Sequence, residues 1–74
     1  MNNDAKLALF VGGNADGFTR EVTKIEPVLN WYGNSYISRG PLETRTLGTV
    51  QLYVLAGMKR DEEILRTEII KKSI

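Results

Sequence analysis

An apolar run that ends at two adjacent glycines, within Leu7–Gly17, constrains the fold of this chain more than any other feature. The strand candidate Lys6–Val11 carries apolar residues on both faces, which predicts a strand that is central in its sheet or covered on both sides. Glycine, asparagine and aspartate tolerate positive φ, so Gly12–Gly17 predicts a tight reversal. Phe18–Ile25 alternates as a strand with one solvated face does, and the whole segment therefore predicts a β-hairpin.

Glycine-rich turns also bind phosphate, and two such motifs can be compared with this one. Walker loops and dinucleotide-binding loops need a helix directly after their glycines, because the helix N-terminus meets the phosphate. A strand pattern follows Gly17, so the sequence favours a structural hairpin turn. The alternative is a nest of backbone amides that binds an anion with the help of Arg20.

Three further regions follow before the C-terminal part of the chain. Pro27 ends the second strand because proline has no N–H to donate. Val28–Ser38 predicts either two short strands around a central Gly-Asn pair or a structured loop. Arg39–Pro41 predicts a break in the structure, and Thr44–Ala56 predicts a long strand because threonine, valine and tyrosine suit a pleated surface.

The last segment has the features of a helix. Asp61 is a plausible N-cap for a helix that runs to about Lys72, and acidic residues begin the segment while Lys71 and Lys72 end it, as the helix dipole favours. An apolar stripe of four residues is expected to pack on the sheet: Ile64, Leu65, Ile69 and Ile70. Together, these elements predict an α+β fold, in which one C-terminal amphipathic helix packs on a face of an antiparallel sheet of three to five strands.

Composition limits the functions that this chain can have. Seventy-four residues form one domain, expected at 6–74 after a frayed polar N-terminus at 1–5. Cysteine and histidine are both absent, which excludes disulfides, thiolate or imidazole metal sites and histidine-based triads. The carboxylates are scattered, so the sequence predicts a protein that is not an enzyme and has no metal site or cofactor. Because a domain this small lacks these means of stabilisation, homo-oligomerisation is also expected.

Charge and hydropathy restrict the partners and the location. The formal net charge is +1, which argues against direct binding of nucleic acid or of an anionic membrane surface. The apolar run Leu7–Val11 is too short for a signal peptide or a membrane span. The sequence therefore predicts a soluble protein of the cytoplasm.

The segment Asn30–Arg39 contains the strongest candidates for binding. Trp31, Tyr32, Tyr36 and Arg39 lie within it, and tryptophan, tyrosine and arginine dominate the hot spots of protein interfaces. The same residue types also stack on nucleobases and hold phosphates. Trp31 is interpreted first as a core residue and the other three as an exposed binding surface.

Arg20, beside the glycine turn, is a second contributor to the predicted binding surface. It shares a strand face with Phe18 in the alternating segment. The predicted binding residues are therefore Trp31, Tyr32, Tyr36, Arg39 and Arg20.

Four short stretches occur in order along the chain: Gly12–Gly17 (Gly-Gly-Asn-Ala-Asp-Gly), Leu52–Val54 (Leu-Tyr-Val), Gly57–Met58 and Asp61–Ile64. In this order they resemble a loose group of small, mostly uncharacterised accessory proteins of tailed bacteriophages and prophages, with Asn14 where a proline would be expected. The resemblance implies a phage accessory protein and brings no catalytic residues with it.

Three functions follow as hypotheses. The leading one is a phage-encoded, non-catalytic binding protein that inhibits or modulates a host protein, in host takeover or anti-defence, within the host bacterial cytoplasm. The first alternative is an oligomeric binder of a nucleotide-like small molecule, with pockets built between subunits from Arg20 or Arg39, a tyrosine and the turn amides. The second is a virion or assembly component whose sheet edges pair with neighbours.

Overall fold

The computed structural model describes residues 6–74, which form a five-stranded sheet with one C-terminal helix. The elements, in chain order, are β1 (Lys6–Val11), a short 3-10 turn (Gly13–Ala15), β2 (Thr19–Val22), β3 (Val28–Trp31), β4 (Asn34–Thr44), β5 (Gly48–Leu55) and α1 (Arg60–Ser73). The predicted α+β class is confirmed, whereas the predicted frayed N-terminus at 1–5 lies outside the described residues.

The strands follow the order β2-β1-β5-β4-β3 across the sheet. β1 pairs antiparallel with β2, which confirms the predicted hairpin, and parallel with β5. The sheet is therefore mixed rather than purely antiparallel. With a neighbour on each side, β1 has the internal position that its two apolar faces predict, and Ala8–Val11 are fully buried.

The middle segment forms a hairpin of two strands, β3 and β4, so the two-strand reading of Val28–Ser38 is the correct one. The predicted break at Arg39–Pro41 is wrong, because β4 continues through it. The register between β4 and β5 shifts between Ser38 and Gly40, and Gly40 adopts a φ of 98°. This bulge accommodates Gly40 and Pro41, so that β4 continues through both residues.

The predicted strand Thr44–Ala56 begins too early, since β5 starts only at Gly48. The Thr44 hydroxyl accepts a hydrogen bond from the Leu47 amide at 3.0 Å and donates one to the Gly48 carbonyl at 2.8 Å. These bonds close a turn between β4 and β5, an arrangement in which a threonine side chain competes with the strand ladder.

The sheet is strongly curled. β5 and β4 lie between β1 and β3, so three strand spacings would separate β1 from β3 by about 14 Å in a flat sheet. The ring centroids of Phe10 in β1 and Trp31 in β3 are nevertheless only 4.8 Å apart. The concave face that results holds an aromatic core, in which Phe10 also contacts Tyr36 and Tyr53 at centroid distances of 4.9 and 5.5 Å.

The convex face of the sheet carries the aliphatic core and α1. Its buried members are Leu9, Val11, Val50, Leu52, Val54 and Ile70. Ile70 comes from the helix and the other five from β1 and β5. The two faces of the sheet therefore hold separate cores, one aliphatic and one aromatic.

The helix meets the sheet through a different face from the predicted one. Its buried residues are Glu63, Thr67 and Ile70, whereas Ile64, Leu65 and Ile69 are exposed. The predicted apolar stripe is therefore wrong in three of its four positions. The physical reason is the pairing of Glu63 with Arg39 of β4, which places a carboxylate and not a leucine under the helix.

The predicted N-cap is also wrong. Lys59 precedes the first helical residue, with no side-chain capping bond, and Asp61 lies within the first turn. There it contributes to the helix dipole rather than to a cap.

Tyr53, in the aromatic core, makes the stability of the fold depend on pH. Its buried hydroxyl donates a hydrogen bond to the Glu26 carbonyl at 2.8 Å, and burial raises its pKa above the ordinary value of 10.0. The unfolded chain therefore ionises first, so this contribution to stability is complete below about pH 10 and is lost as the pH rises. We expect urea unfolding to show lower stability at about pH 11 than at about pH 8, with a weaker pH dependence in Tyr53→Phe. Equal pH dependence in the two proteins would contradict this expectation.

Candidate binding surface

Four side chains from two distant parts of the chain meet at the rim of the concave face. They are Phe18, Arg20, Trp31 and Tyr32, and we call them the aromatic–arginine patch. The Phe18 ring lies 6.2 Å from the Trp31 ring and 5.7 Å from the Tyr32 ring, centroid to centroid. The curl of the sheet causes this meeting, because Phe18 and Arg20 belong to one edge of the sheet and Trp31 and Tyr32 to the other.

Trp31 belongs to both the core and the patch. Its ring is half-buried and packs on Phe10, as the core interpretation predicts. The same ring contacts Tyr32 at 4.9 Å and lies 5.3 Å from the Arg20 guanidinium carbon. The ring therefore anchors the patch to the fold and leaves its outer members accessible.

Tyr32 is held in a backbone conformation that tyrosine rarely adopts. Its φ is 52° and that of Gly33 is 78°, as in the two-residue turns that close tight hairpins. Asparagine or glycine would fit this position with less strain, and a left-handed residue with a side chain costs on the order of 1–2 kcal/mol. The ring is 55% exposed, so burial recovers only part of this cost. An exposed aromatic at a strained turn suggests a role in binding.

Arg20 extends over the Trp31 ring in a cation–π contact, worth on the order of 0.5–1 kcal/mol at an exposed site. Within the described part of the chain, no carboxylate forms a salt bridge with it. Its guanidinium therefore keeps its hydrogen-bonding capacity for a partner.

The glycine turn supports this patch from behind. Asn14 donates its amide to Asn34 Oδ1 at 2.8 Å, and its side chain donates to the Tyr32 carbonyl at 2.9 Å. A Cβ at Gly13 would lie 2.6 Å from Asn34 Oδ1, so this close approach requires glycine. The turn thus helps to fix the Tyr32 backbone.

The alternative of an anion-binding nest in this turn is not supported. The amides of Gly12, Asn14 and Ala15 donate within the protein, to Asp16 Oδ1, Asn34 Oδ1 and the Tyr36 hydroxyl. The second Asp16 carboxylate oxygen pairs with Arg66 of α1. These three amides therefore already have acceptors within the protein, one of which is a carboxylate of the turn itself.

Tyr36 does not belong to the binding surface, and the prediction that it is exposed is wrong. The side chain is fully buried, and its hydroxyl accepts from the Ala15 amide at 2.9 Å and donates to the Gly12 carbonyl at 2.8 Å. Its function in the structure is to join β4 to the glycine turn.

Arg39 also lies apart from the patch, on the convex face. It forms two hydrogen bonds of 3.2 Å with the buried carboxylate of Glu63, which Arg60 also contacts at 3.3 Å. A fork of this kind positions the helix on the sheet. The alternation of side chains along a strand could have predicted that Arg39 and Tyr36 lie on opposite faces, because residues three apart in a strand point in opposite directions.

Phe18 is the member of the patch that the sequence prediction omitted. It is 47% exposed, and its shared strand face with Arg20 was the available signal. Arg20, Trp31 and Tyr32 are the predicted residues that the structure brings together.

Two further properties of the described residues bear on function. Among residues 6–74, no group of three or more carboxylates is arranged to hold a metal ion. Over the same range, the protein contains no helix with the length and apolarity needed to cross a membrane.

No protein-family model matches the chain, and no curated protein or solved structure does so either.

Proposed function

We propose that this protein is a non-catalytic binding module whose aromatic–arginine patch docks on another protein. The observation that carries the proposal is the convergence of two exposed rings, a half-buried indole and an arginine that forms no salt bridge with any carboxylate of residues 6–74. In the setting that the resemblance implies, the partner is a host protein in the cytoplasm of an infected bacterium, which the module inhibits or modulates.

The chemistry of the patch favours a protein partner. Tryptophan, tyrosine and arginine are the side chains enriched in interface hot spots, where a few residues supply most of the binding energy. Phe18 and Tyr32 are both about half exposed, so a partner would remove further apolar surface from water. The near-neutral net charge leaves these local contacts to provide the specificity.

Capture from bacterial lysate with the tagged protein tests the proposal. We expect Phe18→Ala/Tyr32→Ala to lose a captured protein that the wild type retains, with affinity reduced about 30-fold or more, as hot-spot residues imply. Leu47→Ala is the matched control, because Leu47 is also a partly exposed apolar residue but lies in the turn between β4 and β5. Equal capture by the double variant and the wild type would refute the role of the patch.

Binding of a nucleotide-like ligand is a second candidate function. It is favoured by a cleft with basic side chains that lies apart from the aromatic–arginine patch. A cleft of about 310 Å³ lies between the β4–β5 turn and the end of α1, and its lining includes Arg45, Lys71 and Lys72. Glu68 also lines the cleft, so its charged side chains carry a net charge of +2. That charge suits a phosphate group, although the two lysines also complement the helix C-terminus. Arg39 and the turn amides, proposed for such a pocket from the sequence, are engaged elsewhere.

Thermal unfolding with a panel of linear and cyclic nucleotides tests this second function. A true ligand at 100 times its Kd stabilises the fold by about 2.7 kcal/mol, which raises the unfolding midpoint measurably. Arg45→Ala should remove this shift, while Arg20→Ala should leave it unchanged. The absence of a shift at millimolar nucleotide would exclude this function.

A further inference from the structure

The outer side of α1 is apolar although the helix already lies on the sheet. Ile64, Leu65 and Ile69 are 52%, 62% and 44% exposed. The inner side carries Glu63 and Thr67 beside Ile70, all three buried. A surface helix normally turns most of its aliphatic residues inward, so the exposure of Leu65 and Ile69 is unusual.

Leu65 and Ile69 are one turn apart and therefore neighbours, and together they form a surface that we call the outer helix face. Ile64 lies about 100° around the helix from Leu65 and lines a cleft beside Leu52 of β5 instead. Charged residues flank the same side of the helix, with Asp61 and Glu62 at its start and Lys72 at its end. The outer helix face thus has an acidic end, a pair of aliphatic residues in the middle bordered by the exposed Glu68, and a basic end.

This distribution of charge is self-complementary in one orientation. If a second copy of α1 lies antiparallel across the first, Leu65 of each copy faces Ile69 of the other. In the same register, Glu62 of each copy lies opposite Lys72 of the other, at both ends of the contact. A parallel arrangement would instead bring the two acidic ends together and the two basic ends together, which is unfavourable.

We propose that the protein forms a twofold-symmetric homodimer through antiparallel packing of the outer helix faces. Twofold interfaces use the same surface on both subunits, as this pattern of charge requires. The burial of Leu65 and Ile69 of each copy supplies the attraction, and the Glu62–Lys72 pairs set the orientation. Because α1 covers the convex face, the dimer leaves both aromatic–arginine patches accessible on the opposite faces. This inference is independent of the proposed function of that patch.

Sedimentation equilibrium over a range of micromolar concentrations tests the dimer. We expect a monomer–dimer equilibrium in the wild type and a dissociation constant at least 30-fold higher in Leu65→Lys/Ile69→Lys. Both residues are exposed, so circular dichroism of this variant should show the wild-type fold. A wild type that stays monomeric at several hundred micromolar, or a double variant that dimerises as well as the wild type, would overturn the proposal.

Charge reversal tests the antiparallel orientation separately. Glu62→Lys and Lys72→Glu should each weaken self-association, because each creates like-charged pairs at both ends of the contact. An equimolar mixture of the two single variants should associate more tightly than either alone, since every end pair in the mixed dimer is then of opposite charge. If the mixture associates no better than the single variants, the antiparallel register is wrong.

Discussion

Phe10→Ala is expected to destabilise the fold by about 3–5 kcal/mol, the usual cost of deleting a fully buried aromatic ring. Phe10 is completely buried and contacts the rings of Trp31, Tyr36 and Tyr53, so its loss leaves a cavity at the centre of the concave face. At roughly 0.05–0.15 kcal/mol per residue, a domain of this size has a total stability of only about 4–11 kcal/mol. The variant should therefore lose a large part of the free energy of unfolding, as measured by urea unfolding and near-ultraviolet circular dichroism.

Phe18→Ala is the matched control for this experiment. It removes the same side chain from the rim of the same face, where the ring is 47% exposed. We expect it to cost less than about 1 kcal/mol, because little buried surface is lost and solvent can fill the space. Equal destabilisation by the two substitutions would mean that the sheet does not curl around Phe10.

Tyr36→Phe should cost roughly 2–4 kcal/mol although it deletes a single oxygen atom. The hydroxyl is the partner of both the Ala15 amide and the Gly12 carbonyl, and each buried group left without a partner costs about 1–3 kcal/mol. Urea unfolding gives the total effect. Amide hydrogen exchange at Ala15 should also become faster, because its acceptor has been removed.

Tyr32→Phe is the control for Tyr36→Phe. The Tyr32 side chain is exposed, so the same chemical change should alter stability by less than about 0.5 kcal/mol. Wild-type stability and unchanged exchange at Ala15 in Tyr36→Phe would show that the hydroxyl does not hold the glycine turn.

Local patterns predicted the strands well and their ends less well. The two apolar faces of Lys6–Val11 indicated an internal strand, because alternation reports directly which faces are covered. The continuation of β4 through Arg39–Pro41 was not predictable in the same way. Glycine and proline usually end a strand, and here a bulge in the pairing with β5 accommodates them.

The face of the helix was mispredicted for a tertiary reason. Apolar periodicity places Leu65 and Ile69 inward, but the structure gives the inner side to Glu63, which Arg39 and Arg60 neutralise. An ion pair between a helix and a bulged strand depends on the register of that strand, which one sequence does not reveal. The self-complementary surface on α1 offers a physical reason for the exposure of Leu65 and Ile69.

The residue types of the segment Asn30–Arg39 indicated which residues could bind a partner. The topology of the sheet then places some of these residues away from the others. Trp31, Tyr32, Tyr36 and Arg39 are close in sequence, yet only the first two reach the patch. Arg20 joined them through the curl of the sheet, since it comes from the opposite edge. Composition thus identified the kinds of residue that bind, whereas their grouping required the three-dimensional arrangement.

The parallel pairing of β1 with β5 also determines how distant in the sequence the contacts are that join the sheet together. β1 and its parallel partner, Gly48–Leu55, are separated along the chain by β2, β3 and β4. Contacts between such distant segments carry a large loop-closure entropy and slow the folding reaction. We therefore expect the local hairpins β1–β2, β3–β4 and β4–β5 to form first, and the β1–β5 pairing that joins them into one sheet to limit the folding rate.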